Sequence, residues 1–124
     1  MKRAVLVVTP LLLAASPAFA TGGFNCRADD GSGLALAGTV GHTITSPLVG
    51  ARLELGGRIL STADAQPQIA IGRSWIDDRE IRVDLIDSQA LRLEAELRAT
   101  RDRRGWRGTL TRDGARRQVI CTVE

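Results

Sequence analysis

Apolar and polar residues alternate with a period of two along most of the chain. Leu34, Leu36, Val40 and Ile44 share one parity, with Thr39, Thr43 and Thr45 on the other. Leu53 and Leu55 alternate with Arg52 and Glu54, and Ile69 and Ile71 with Gln68 and Ala70. Ile81, Val83 and Leu85 alternate with Arg82 and Asp84, and Leu91, Leu93, Ala95 and Leu97 with Arg92, Glu94, Glu96 and Arg98. This period belongs to half-buried antiparallel strands, whose side chains point to opposite faces in turn. The stretch 90–101 is rich in Ala, Leu, Glu and Arg, which favour helix. Its apolar residues nevertheless fit a helical stripe poorly, and it reads as a strand. Turn signals separate the runs: Asp30-Gly31, Pro47, Gly56-Gly57, Pro67, Asp87-Ser88 and Asp113-Gly114. The segment 61–67 is the most loop-like. The pattern predicts an all-β domain of about seven or eight strands, a small antiparallel barrel or sandwich.

Two hairpins follow in detail. A three-residue loop at Asp87-Ser88-Gln89 sets Leu85 opposite Leu91 and Val83 opposite Leu93 on the inner face. Its outer face then pairs Asp84 with Arg92 and Arg82 with Glu94, opposite in sign, as cross-strand complementarity favours. A two-residue turn at Asp113-Gly114 sets Trp106 opposite Cys121, Gly108 opposite Val119 and Leu110 opposite Arg117. Arg107, Thr109 and Thr111 then face Ile120, Gln118 and Arg116 on the outer side, and Trp106 points inward.

The N-terminus has the three-part layout of a secretory signal peptide. Lys2 and Arg3 precede an apolar run from Ala4 to Ala15, and Ala18-Phe19-Ala20 supplies a small-residue cleavage site. The apolar run is well short of the roughly 20 residues of a spanning helix. Residues 1–20 are therefore expected to be removed, leaving a single small domain, 21–124, that is periplasmic or secreted and carries no transmembrane anchor. Gly22-Gly23-Phe24-Asn25 before Cys26 lacks the context of a lipid-modified cysteine. Cys26 and Cys121 are the two cysteines of the chain. In an exported protein such a pair predicts a disulfide, here joining the N-terminal and C-terminal strands. The close spacing of a redox-active pair is absent.

Cleavage also changes the charge. The formal +3 includes Lys2 and Arg3, so the mature chain carries 15 arginines against 14 acids, or +1. Residues 98–117 hold eight arginines against Asp102 and Asp113, whereas residues 21–97 hold seven against eleven acids. The outcome is a charge dipole rather than a basic protein. With no tyrosine and two tryptophans, stacking platforms for nucleic acid are scarce, and no nucleic-acid partner is expected.

Candidate chemistry is sparse. His42 is the sole histidine, and no G-x-S-x-G elbow or second histidine completes a triad. The residues supply no zinc ligand set and no EF-hand spacing for calcium. No catalytic residue, metal or cofactor is therefore expected. Two surfaces stand out. Trp75, Ile76, Asp77 and Asp78 place an aromatic beside two acids between the strands 68–72 and 81–86, a composition that protein interfaces reuse. Arg101, Arg103, Arg104, Arg107, Arg112 and Arg116 point outward or sit in loops, either as a solvated edge that resists aggregation or as an anion-contacting patch.

"FNC" at 24–26, "VIC" at 119–121 and "VGAR" at 49–52 resemble, as an arrangement, the small exported bacterial β-barrels that inhibit c-type lysozymes. The chain lacks the aromatic after that loop and the Trp-Ser/Thr-Lys-Gly stretch of those proteins, and no residue role is carried over. The expected function is a non-enzymatic, protein-binding or inhibitor-type module acting on another exported or envelope protein. The alternative is a binder of anionic envelope lipopolysaccharide or glycan through the arginine-rich C-terminal hairpin.

Overall fold

The alternating runs pair into one antiparallel sheet of nine strands, seen in a computed structural model that describes residues 22–41 and 48–124. The strands are β1 (Gly22–Ala28), β2 (Leu34–Val40), β3 (Leu48–Leu55), β4 (Ile59–Ser61) and β5 (Ile69–Ile76), then β6 (Glu80–Asp87), β7 (Leu93–Asp102), β8 (Gly105–Arg112) and β9 (Ala115–Val123). Their order across the sheet is β4-β3-β2-β1-β9-β8-β7-β6-β5. β3 comes against β5 across the remaining gap, so the sheet curls into a nearly closed barrel. The strand beyond the expected seven or eight is β4, whose three residues are too short to display a period. The expected signal segment 1–20 and His42 lie outside the described residues. Among the described residues no helix is long and apolar enough to cross a membrane.

One parity of each strand fills the interior, as in barrels of this size. A row of directly opposed inner positions runs Leu60, Leu53, Leu36, Cys26, Cys121, Trp106. A second runs Ala28, Val119, Gly108, Ala99, Ile81, Ile76. Leu36, Leu53, Ile81, Val83, Leu85, Leu97 and Leu110 have no solvent exposure. Cys26 and Cys121 are direct cross-strand partners and form the disulfide, their Cα atoms 4.0 Å apart. Trp106 packs against this core beside the bridge.

The hairpin at Asp113-Gly114 has the expected register throughout. Both turn residues adopt positive φ, 50° at Asp113 and 75° at Gly114, the conformation that a two-residue turn of this type needs.

The β6–β7 hairpin departs from expectation. Leu85 lies opposite Ala95 and Val83 opposite Leu97, so the turn is longer, and Leu91 and Leu93 are 80% and 50% exposed instead of inward. The Asp87 carboxylate causes this by accepting the N–H groups of both Leu91 (2.7 Å) and Arg92 (3.1 Å). Ala90 turns the chain at φ 57°, and a bulge beside Glu94 shifts the register between Leu85 and Ile86. The expected pairs Asp84–Arg92 and Arg82–Glu94 do not form. Arg82 instead faces Arg98, and Asp84 faces Glu96. Arg92, in the turn, pairs instead with the buried Glu94 at 2.6 Å, two residues on.

Asp30 and Asp77 play a comparable part at the β1–β2 and β5–β6 turns. Asp30 accepts the Ser32 N–H at 2.9 Å and pairs with Arg117. Its hydrogen bonds to Ser32, then Arg117, lower its pKa from 3.8 to about 2. The backbone N–H of Arg79, then the indole of Trp75 and the N–H of Glu80, lower that of Asp77. A carboxylate whose pKa is depressed by folding stabilises the fold above its unfolded value, and that contribution disappears as pH falls toward the folded value. The urea midpoint is therefore expected to fall between pH 4 and 2. Asp30→Asn should flatten the decline across that window, which a titration of midpoints at pH 5, 4, 3 and 2 would test. An Asp30→Asn curve parallel to wild type would refute the assignment.

Candidate functional site

Trp75 lies on the outer face of the barrel, on strand β5 and not in a loop, because β5 runs four residues past the expected end at 72 and includes Ile76. It is 57% exposed. Its indole N–H donates to Asp77 Oδ2 at 3.0 Å, while Asp77 Oδ1 accepts the N–H groups of Arg79 (2.8 Å) and Glu80 (2.7 Å). Asp77 is thus the clasp of the β5–β6 turn, and it fixes the tryptophan ring with its one polar atom satisfied. Asp78 is exposed beside it.

Across the sheet Trp75 is directly opposite Arg82, and Arg82 directly opposite Arg98. Two arginines facing one another on neighbouring strands are unfavourable. Here each is held by an acid: Arg82 reaches Glu80 at 3.1 Å, and Arg98 reaches Asp84 at 2.9 Å and Glu96 at 3.8 Å. The β5–β6 register shifts between Ile71 and Ser74, so Gly72 and Arg73 form an irregularity on β5. A Cβ at Gly72 would come within 3.1 Å of the Asp84 carbonyl and 3.2 Å of Ile86 Cγ2, so the strand is tight against β6 there. Bulges of this kind re-aim side chains, and Arg73 joins Ser74, Trp75, Arg82, Asp84 and Arg98 around a groove of about 420 Å³. Leu93, opposite Ile86, continues the same three-strand face in apolar character toward the exposed Leu91.

Arg73, Arg82 and Arg98 were not singled out by the sequence. Their grouping depends on the β5 irregularity and the longer β6–β7 turn, and the assumed register had neutralised Arg82 with Glu94. A glycine before an arginine inside a strand run, Gly72-Arg73, is the trace left in the sequence.

The six arginines of the C-terminal segment do not share one place. Arg103 and Arg104 occupy the β7–β8 turn, whereas Arg112 and Arg116 flank the β8–β9 turn at the opposite end of β8, roughly 20–25 Å away along the strand. Arg112 is largely covered and paired with Asp113 at 2.9 Å and Glu94 at 3.9 Å. Arg101 lies near the first group, its N–H bonded to the Arg79 carbonyl at 2.8 Å. Arg107 lies toward the first group, two residues from Gly105 at the start of β8, opposite Thr100 and Ile120.

Among the described residues no three His, Cys, Asp or Glu side chains converge as ligands for a metal ion. No protein-family model, curated protein or solved structure matches the chain, and the cysteine layout stays a likeness of arrangement.

Proposed function

We propose that this protein is an exported, non-enzymatic recognition domain that binds another protein through the outer face of β5, β6 and β7. The observation that carries the reading is Trp75, more than half exposed, clasped by Asp77 and flanked by Arg73, Arg82 and Arg98. Burying a rigid indole with few torsions forfeits little conformational entropy, and tryptophan and arginine dominate the binding energy of protein interfaces. A barrel whose inner positions are filled by its own side chains leaves recognition to the outer surface. The signal-peptide layout and the disulfide favour an oxidising, extracytoplasmic setting, periplasmic or secreted.

The test uses oxidised chain 21–124 immobilised and exposed to envelope and medium extracts, with retained proteins identified by mass spectrometry. The expected result is a partner held by wild type and by Arg116→Ala and lost at least about tenfold with Trp75→Ala. Retention indifferent to Trp75 would sink this reading. Loss with Arg103, Arg104 and Arg107 neutralised would return attention to the C-terminal hairpin.

A further inference from the structure

Resting on that reading, the occupant of the groove can be specified. We propose that it receives an extended acidic peptide segment of the partner, with a carboxylate on Arg73 and an apolar side chain laid on the face of Trp75. Three arginines against one aspartate line the groove. Arg82 and Arg98 are already held by Glu80 and Asp84, with Glu96 nearby. Arg73 takes part in no ion pair among the described residues. It is thus the uncompensated charge, a planar set of donors matched to a carboxylate.

The indole N–H is taken by Asp77, so Trp75 offers a flat apolar face rather than a donor. Positions two apart on a strand are separated by about 6.6 Å. An extended segment with an acid two residues from an apolar side chain therefore spans Arg73 and Trp75 together. The exposed Leu93 on the same face, opposite Ile86, suits the side chains of a polypeptide better than the hydroxyls of a glycan.

The experiment titrates 15N-labelled chain 21–124 with two blocked peptides, Ac-Gly-Glu-Ser-Phe-Gly-NH2 and its Gln isostere, and separately with glucuronate. The readout is the indole N–H signal of Trp75, identified by its loss in Trp75→Phe. The Glu peptide is expected to shift it saturably, and the Gln peptide to bind at least about tenfold more weakly. Arg73→Gln should reduce the Glu peptide to the level of its isostere with backbone signals elsewhere unmoved. Arg73→Lys should keep part of the preference, and rising salt should weaken the Glu peptide alone. Equal binding of the two peptides, no shift with either, or tighter binding of glucuronate each overturns the proposal. Failure here is separable from failure of the protein-binding reading. A captured partner that needs Trp75 but not Arg73 defeats only the acidic occupant, whereas capture indifferent to Trp75 defeats both.

Discussion

Replacing both cysteines, Cys26→Ala together with Cys121→Ala, is expected to lower the unfolding free energy by about 4–5 kcal/mol. The bridge closes a loop with a sequence separation of 95 residues, and the entropy removed from an unfolded chain grows with the length of the loop closed. Topology makes the loss consequential. Every pairing in the sheet joins strands consecutive in the chain except β1 with β9. That seam therefore must bring together the two ends of the domain, and the disulfide sits within it between direct partners, both buried. A small domain has only about 5–15 kcal/mol of stability in total, so about a quarter or more disappears with the bridge. Urea unfolding of the double variant and of wild type with and without a reducing thiol measures it. The two treatments should agree. A loss under about 1 kcal/mol would mean that the unfolded chain already keeps its ends together.

The parts of this fold that were legible in the sequence are those set by local chemistry. Asp113-Gly114 demands positive φ at consecutive residues, and that requirement fixed every pair from Trp106–Cys121 to Thr111–Arg116. The inward parity of Leu34, Leu36, Leu53, Ile81, Val83 and Leu85 followed from burial alone. What stayed hidden depends on how one side chain uses its hydrogen bonds. Asp87 could have begun a three-residue loop. Its carboxylate instead gathers Leu91 and Arg92, and the bulge at Glu94 then restores the inward parity of Ala95, Leu97 and Ala99. Opposite-sign pairs supported the shorter loop. The observed register places like charges face to face and compensates them diagonally, Arg98 with Asp84. The site suffered the same limit. Trp75 was visible as an aromatic beside acids, but Asp77 proved to be a clasp, and the arginines around the indole came from three strands whose registers had to be known first.

Substituting Gly108 by alanine is expected to destabilise the protein by about 3 kcal/mol or more. In a strand interior alanine is ordinarily the better residue by roughly 0.5–1 kcal/mol, because glycine loses more backbone freedom on folding, so the predicted sign runs against the general preference. The reason lies in the approach of β7 to β8. Gly108 is the direct partner of Ala99, in the inner row that continues to Ile81 and Val119. A Cβ there would stand 1.9 Å from the Arg98 carbonyl oxygen and 2.6 Å from Ala99 Cα. These are backbone atoms, so no rotamer change can relieve the overlap. Relief requires the two strands to separate beside Trp106 and the disulfide, breaking ladder hydrogen bonds and opening the interior there. Gly57 is the control: a Cβ there meets nothing within 4 Å, and Gly57→Ala should be neutral or slightly stabilising. Urea midpoints of the two variants compared with wild type decide the matter. If Gly108→Ala proved as stable as Gly57→Ala, β7 and β8 would have to part at Ala99 without loss, and the close contact that shapes this side of the barrel would not be a constraint on the sequence.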